Sequence, residues 1–120
     1  MRSKYLSLVL ASVIAGCQRV PERKIQVQGT VTAVGFGLAV TGAEVEIDWP
    51  PSLGGGSSTV KTDGQGHFVA GQSVRTRTLD CKGLVITVRA SGYASAYDNS
   101  EKPCAGGLLT TDFKMLPIPR

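Results

Sequence analysis

The chain has 120 residues, 42% of them hydrophobic and 18% charged, which is a globular balance rather than a disordered one. That length holds one domain at most, and 15 glycines speak for turns over helix. Of 13 basic residues two are Arg2 and Lys4, at the extreme N-terminus; without them 11 face 9 acidic ones, so no basic stripe supports nucleic acid as a partner.

Met1 to Lys4 is short and positive, and Tyr5 to Ala15 is nearly all apolar. The apolar run falls well short of the roughly 20 residues of a spanning helix. It has the form of a secretory signal peptide. Ile14-Ala15-Gly16-Cys17 then resembles the bacterial lipobox, an aliphatic residue and two small ones before a cysteine. The resemblance implies cleavage after Gly16, so that residues 1–16 are a leader, and acylation of Cys17, making the membrane a partner. Gln18 in place of Asp favours the outer membrane by the sorting pattern of such lipoproteins.

An exported chain with Cys17 set aside has Cys81 and Cys104 left, an even pair that reads as a disulfide. Two free thiols are the alternative. With one histidine and no third thiol, zinc is disfavoured and no metal or cofactor is expected. Residues 17–24 read as a short polar tether. Its Arg19, Arg23 and Lys24 are expected as solvated linker charges, with anionic headgroups as the sharper reading.

From Ile25 apolar residues recur every second position. The alternation marks strands at Ile25 to Thr32, Ala43 to Trp49, Leu84 to Ala90 and Leu109 to Met115. Thr62-Asp63-Gly64-Gln65-Gly66 reads as the turn of a hairpin between Thr59-Val60-Lys61 and His67-Phe68-Val69. Pro50-Pro51 ends a strand. Leu53 to Ser58 reads as a flexible loop, and Asp98 to Gly107 as a second long loop. The result is an all-β sandwich.

In order, "IQVQGTVT", "AVTGAEVEI", "KTDGQGHFV", "LVITVRASGYAS" and "TDFKMLPIP" resemble the carboxypeptidase regulatory-like domain, a transthyretin-like (prealbumin-like) sandwich. The match runs through Gly29-Thr30-Val31, Gly42-Ala43-Glu44-Val45, Thr62-Asp63 with Gly66 and Phe68, and Gly92-Tyr93. It implies a domain over residues 25–117 of about seven strands, a tail at 118–120, and an accessory rather than catalytic role. The spacer Gly35 to Thr41 is family-variable.

No catalytic set emerges. His67, the single histidine, alternates with Phe68 and is expected on the solvent side. Asp63 and Gln65 supply too few oxygens for calcium. Glu44, Glu46 and Asp48 share a strand face and are expected to pair with Arg89 or Lys61. Trp49 and Tyr97 are candidate ligand contacts, carbohydrate being the first guess, although Trp49 shares the parity of the core. The expected role is a non-catalytic structural or interaction module with an envelope protein partner, and a carbohydrate-binding module is the alternative.

Overall fold

The computed structural model describes residues 19–99, 101 and 104–119. The leader and Cys17 lie outside the described residues. Among the described residues eight strands form two sheets, so the all-β sandwich is the fold of this chain. Its spine is β1, Glu22–Ala33. Antiparallel to it runs β4, His67–Arg75, paired from Glu22↔Arg75 to Thr30↔His67. On its other edge lie β7, Leu108–Thr110, and β8, Phe113–Met115, both parallel to β1. The second sheet is antiparallel throughout, in the order β3 (Ser57–Lys61), β2 (Glu44–Asp48), β5 (Val85–Arg89) and β6 (Ala96–Asn99).

Alternation decides which side chains meet between the sheets. Ile25, Val27, Val31 and Ala33 of β1 are buried, with Val45 and Ile47 of β2 and Ile86 and Val88 of β5 opposite them. Phe68 and Phe113 flank β1 with ring centroids 6.3 Å apart and planes tilted by 46°. Such a pair adds about 1 kcal/mol to the area it buries.

Four boundaries differ from the sequence reading. β1 begins at Glu22, so residues 22–24, expected as tether, are paired strand. The expected strand Leu109 to Met115 keeps its parity, with Leu109, Thr111, Phe113 and Met115 all buried, but its ladder breaks in the middle. There the Thr30 N–H donates to the Asp112 carboxylate at 2.9 Å rather than to a carbonyl. Gly29 is what lets the chains pass, because a Cβ at that position would collide with the Thr111 carbonyl oxygen. β6 lies partly inside the expected loop Asp98 to Gly107; short and half exposed, it has no apolar run to announce it. The expected flexible loop Leu53 to Ser58 is held instead. Pro51–Leu53 makes one 3-10 turn, Leu53 is fully buried, and Gln72 Nε2 donates to Leu53 O at 2.6 Å.

Strand directions sort the connections into two ends. At the start of β1 lie the end of β4, the Pro51–Leu53 turn, the β4–β5 connection and the segment before β7. At its finish lie the β1–β2 connection, the Asp63 turn, the β5–β6 connection and residues 116–118. At about 3.3 Å per residue, β1 separates the two ends by roughly 35–40 Å.

Candidate functional site

The outer face of the second sheet carries the acidic row anticipated from sequence. Glu44 and Glu46 both approach Arg89 Nη1, at 4.0 and 3.8 Å, and Asp48 accepts a hydrogen bond from Ser57 Oγ at 2.7 Å. These groups are half exposed, and pairs of that kind contribute little. The row is a solvated face. Tyr97 joins it beside Thr87 and is 71% exposed.

Trp49 is not on that surface. It is only 4% exposed, and its Nε1 donates to Ser58 Oγ at 2.9 Å. The parity of β2 turns the ring inward, and the neighbouring serine satisfies its one polar atom, so Trp49 and Tyr97 form no common platform. Tyr93 packs partly buried against the core at the start of the β5–β6 connection.

On the outer face of the first sheet, His67, Thr30 and Asp112 stand in one row across β4, β1 and the β7–β8 junction. With Gln28, Val69 and Thr110 they border a shallow depression of about 280 Å³. Gln26 Nε2 donates to Gln28 Oε1 at 3.1 Å, and Gln28 Nε2 to Thr110 Oγ1 at 3.5 Å, so its polar groups largely engage one another. His67 is exposed, as the alternation predicts. Among the described residues no three His, Cys, Asp or Glu side chains cluster as a metal site would require.

The Asp63 loop is a turn built by its own carboxylate. Asp63 Oδ1 accepts the N–H groups of Gln65 and His67, each at 2.9 Å. The His67 and Gln65 backbone bonds hold its carboxyl below the ordinary carboxylate range. Thr62, just before it, is buried. Its hydroxyl donates to Val40 O at 2.6 Å and accepts the Ala43 N–H at 2.9 Å. The Thr-Asp pair is thus a structural clasp.

Cys81 and Cys104 are bonded, with Cα atoms 5.4 Å apart and both residues buried. The bond ties the β4–β5 connection to the segment that leads into β7. Cys17 lies outside the described residues. Among the described residues no helix is long and apolar enough to cross a membrane.

One surface feature has no counterpart among the expected site residues. In the β1–β2 connection Phe36 is 86% exposed and Leu38 is 64% exposed. Gly35 and Gly37 on either side have φ of 105° and 66°, a region open to glycine and costly for other residues. The connection is nonetheless fixed, since Gly37 N donates to Ala33 O and Ala33 N to Leu38 O. Val34, whose N–H reaches Met115 O, brings the tip beside exposed Leu116, with exposed Ile118 close by in the chain. The signal was legible in "GFGL": a phenylalanine and a leucine in a turn that belongs to no alternating strand.

No family model matches the chain, and no curated protein matches it by sequence. Solved structures similar to it share the sandwich. One is the dioxygenase domain of a dioxygenase carbohydrate-binding protein fusion from Streptomyces sp. SirexAA-E, with a TM-score of 0.59 and 14% identity over 84% of each chain. Another is a mutant catechol 1,2-dioxygenase from Acinetobacter radioresistens, with a TM-score of 0.59 and 16% identity over 88% of this chain and 54% of that one. A third is hydroxyquinol 1,2-dioxygenase from Pseudomonas putida DLL-E4, with a TM-score of 0.56 and 14% identity over 79% of this chain. The chain spans 57% of that enzyme's length. At such identities the likeness is one of fold, and the class it defines is a two-sheet β-sandwich.

Proposed function

We propose that the chain is a lipid-anchored protein of the bacterial envelope, held by Cys17, and that its sandwich is a non-catalytic module presenting an apolar tip to a protein partner. The observation that carries this reading is the Val34, Phe36 and Leu38 tip beside Leu116, at the end of the domain opposite the N-terminus. Contiguous exposed apolar side chains on a small domain mark interaction surfaces. The aromatic among them is the kind of residue that dominates such contacts.

The anchor reading is supported by the leader and lipobox pattern in residues 1–17. It fits the position of the tip. With the lipid at the start of β1, the tip stands roughly 35–40 Å further out. A carboxypeptidase regulatory-like module is supported by where its motif residues fall. Gly29 lies at the close strand crossing, Thr62 and Asp63 form the clasped turn, and Gly92 sits at the β5–β6 bend, where its carbonyl accepts the Ile118 N–H. The carbohydrate reading loses Trp49 to the core and is not carried forward.

Intact mass of the protein from bacterial membranes tests the anchor, the expected result being acyl mass on Cys17 and loss of residues 1–16. A photo-crosslinking residue at position 36 tests the tip. It is expected to give a discrete adduct in intact envelopes, with none from position 87 on the outer face of β5. Equal crosslinking from both positions would remove the tip from the reading.

A further inference from the structure

The opposite end of the sandwich carries a cleft of about 530 Å³. It is bordered by Arg23, Lys24, Arg77, Thr78, Cys104 and Gly107, with no acidic residue among its borders. Elsewhere among the described residues the ion pairs involve Arg89 alone, and the residues outside the description include no Asp or Glu. Arg23 and Arg77 therefore border the cleft without a carboxylate side chain within ion-pair distance, and Lys24, whose carbonyl lies against Gly107, adds its charge at the rim.

The cleft is a built structure. Arg23 Nε donates to Thr76 O at 3.2 Å, and Thr76 N to Pro21 O at 3.1 Å. Thr76 Oγ1 donates to Thr78 O at 2.7 Å, which closes the turn that carries Arg77. The opposite wall is fixed by the Cys81–Cys104 bond and by Gly107 N donating to Cys104 O at 3.1 Å. Covalent and hydrogen-bonded walls fix the backbone of the cleft, and the bond to Thr76 O fixes the Arg23 guanidinium, before anything binds.

We infer that this cleft receives the phosphate-bearing headgroup of an anionic phospholipid in the membrane to which the chain is anchored. The inference rests on the reading of Cys17 as the lipid attachment point, because that reading sets the distance. Residues 18–21 alone separate Cys17 from β1, and a fully extended chain covers at most about 18 Å over that interval. The cleft at the start of β1 therefore faces the bilayer within a short span. Arginine guanidinium groups suit phosphate oxygens because they donate two parallel hydrogen bonds. Each basic residue near an anionic surface adds about fivefold to partitioning. The headgroup would orient the domain on its anchor and point the apolar tip away from the bilayer.

The test uses the protein extracted from membranes in non-ionic detergent, followed by amide resonances of Thr78, Gly106 and Gly107. The probes are dihexanoyl phosphatidylglycerol, dihexanoyl phosphatidylcholine and inorganic phosphate. Phosphatidylglycerol is expected to give saturable shifts. Arg23→Gln and Arg77→Gln should each weaken that binding about fivefold, and Arg77→Lys, which keeps the charge but not the paired donors, should fall between wild type and Arg77→Gln. Arg89→Gln should leave it unchanged. Resonances of the second sheet in the same spectra establish that each variant is folded. Absent saturation, or equal binding of phosphatidylcholine, overturns the inference. So does inorganic phosphate binding as tightly as phosphatidylglycerol, which would make the cleft a free-phosphate site. Intact mass of the same sample separates the two readings. A chain acylated at Cys17 that ignores phosphatidylglycerol sinks the cleft alone. An unacylated chain sinks the anchor, and with it the membrane as the source of the headgroup.

Discussion

The two ends of the sandwich are built by different means. At the start of β1, a disulfide, a 3-10 turn with fully buried Leu53, and Gln72 reaching across to Leu53 O hold the connections in place. At the finish of β1, hydrogen bonds of the Thr62 hydroxyl and the Asp63 carboxylate clasp the β1–β2 connection and the turn before β4, and glycines carry Phe36 into solvent. The first end is basic and concave, the second apolar and protruding. Ordering a connection costs conformational entropy, and at the first end a covalent tie restrains two of them in a domain whose core is small. At the second end hydrogen bonds from Thr62, Asp63 and the backbone take that part.

Breaking the covalent tie should have the largest effect. Replacing Cys81 and Cys104 together by alanine releases a loop closed over a separation of 23 residues. By the loop-entropy estimate that costs about 3 kcal/mol. Chemical denaturation should show the loss. Hydrogen exchange should show it concentrated at the basic end, with amides around Cys81 and before β7 losing protection ahead of those at Asp63 and Gly66. Uniform loss would mean that the two ends are one cooperative unit.

The clasp at the other end is the next test. Thr62→Val keeps shape but leaves Val40 C=O and Ala43 N–H without partners in a buried setting. The expected cost is about 2 kcal/mol in denaturant unfolding, with the β1–β2 connection exchanging fastest. A neutral substitution would show that the clasp does not hold the apolar end together.

A smaller effect is expected from acid. The Asp63 carboxyl titrates below its unfolded value of 3.8 because the charged form accepts two backbone N–H groups. A depressed folded value means the carboxylate's contribution is fully present above the unfolded value. It is lost as pH falls through the folded one. Amides of Gln65 and His67 should therefore lose protection below about pH 4, while amides at the disulfide end hold theirs. Asp63→Asn should remove this pH dependence. A carboxyl titrating at or above 3.8 by carbon-detected NMR would contradict the geometry.

Legibility in the sequence followed the same division. Period-two alternation gave the inward faces of β1, β2 and β5, because burial on one side forces polarity on the other. It failed at β6, where Ala96 to Asn99 is half buried at a sheet edge and has no apolar rhythm to read. It also ran across the β7–β8 break, because parity survives there while the hydrogen bonds do not. The Asp63 turn was legible from local chemistry. The cleft was not: Arg23 and Lys24 stood in an expected tether, and Arg77 lies 54 positions beyond Arg23 in the chain. Only the antiparallel pairing of β1 with β4 brings them together.

Phe36→Ser should produce the smallest change in stability and the sharpest change in behaviour. The side chain is 86% exposed, so folding owes it almost no buried area, and the substitution should stay within about 0.5 kcal/mol in denaturant. The glycines beside it are untouched, which keeps the turn. If the apolar end is a contact surface, crosslinks placed at position 38 should fall several-fold in the Phe36→Ser background. They should be unaffected by Cys81→Ala with Cys104→Ala under conditions where that variant remains folded. The two ends would then be separable: one sets how firmly the domain stands, the other what it touches. Crosslinking that follows the disulfide instead of Phe36 would reverse that assignment and place the contact at the basic end.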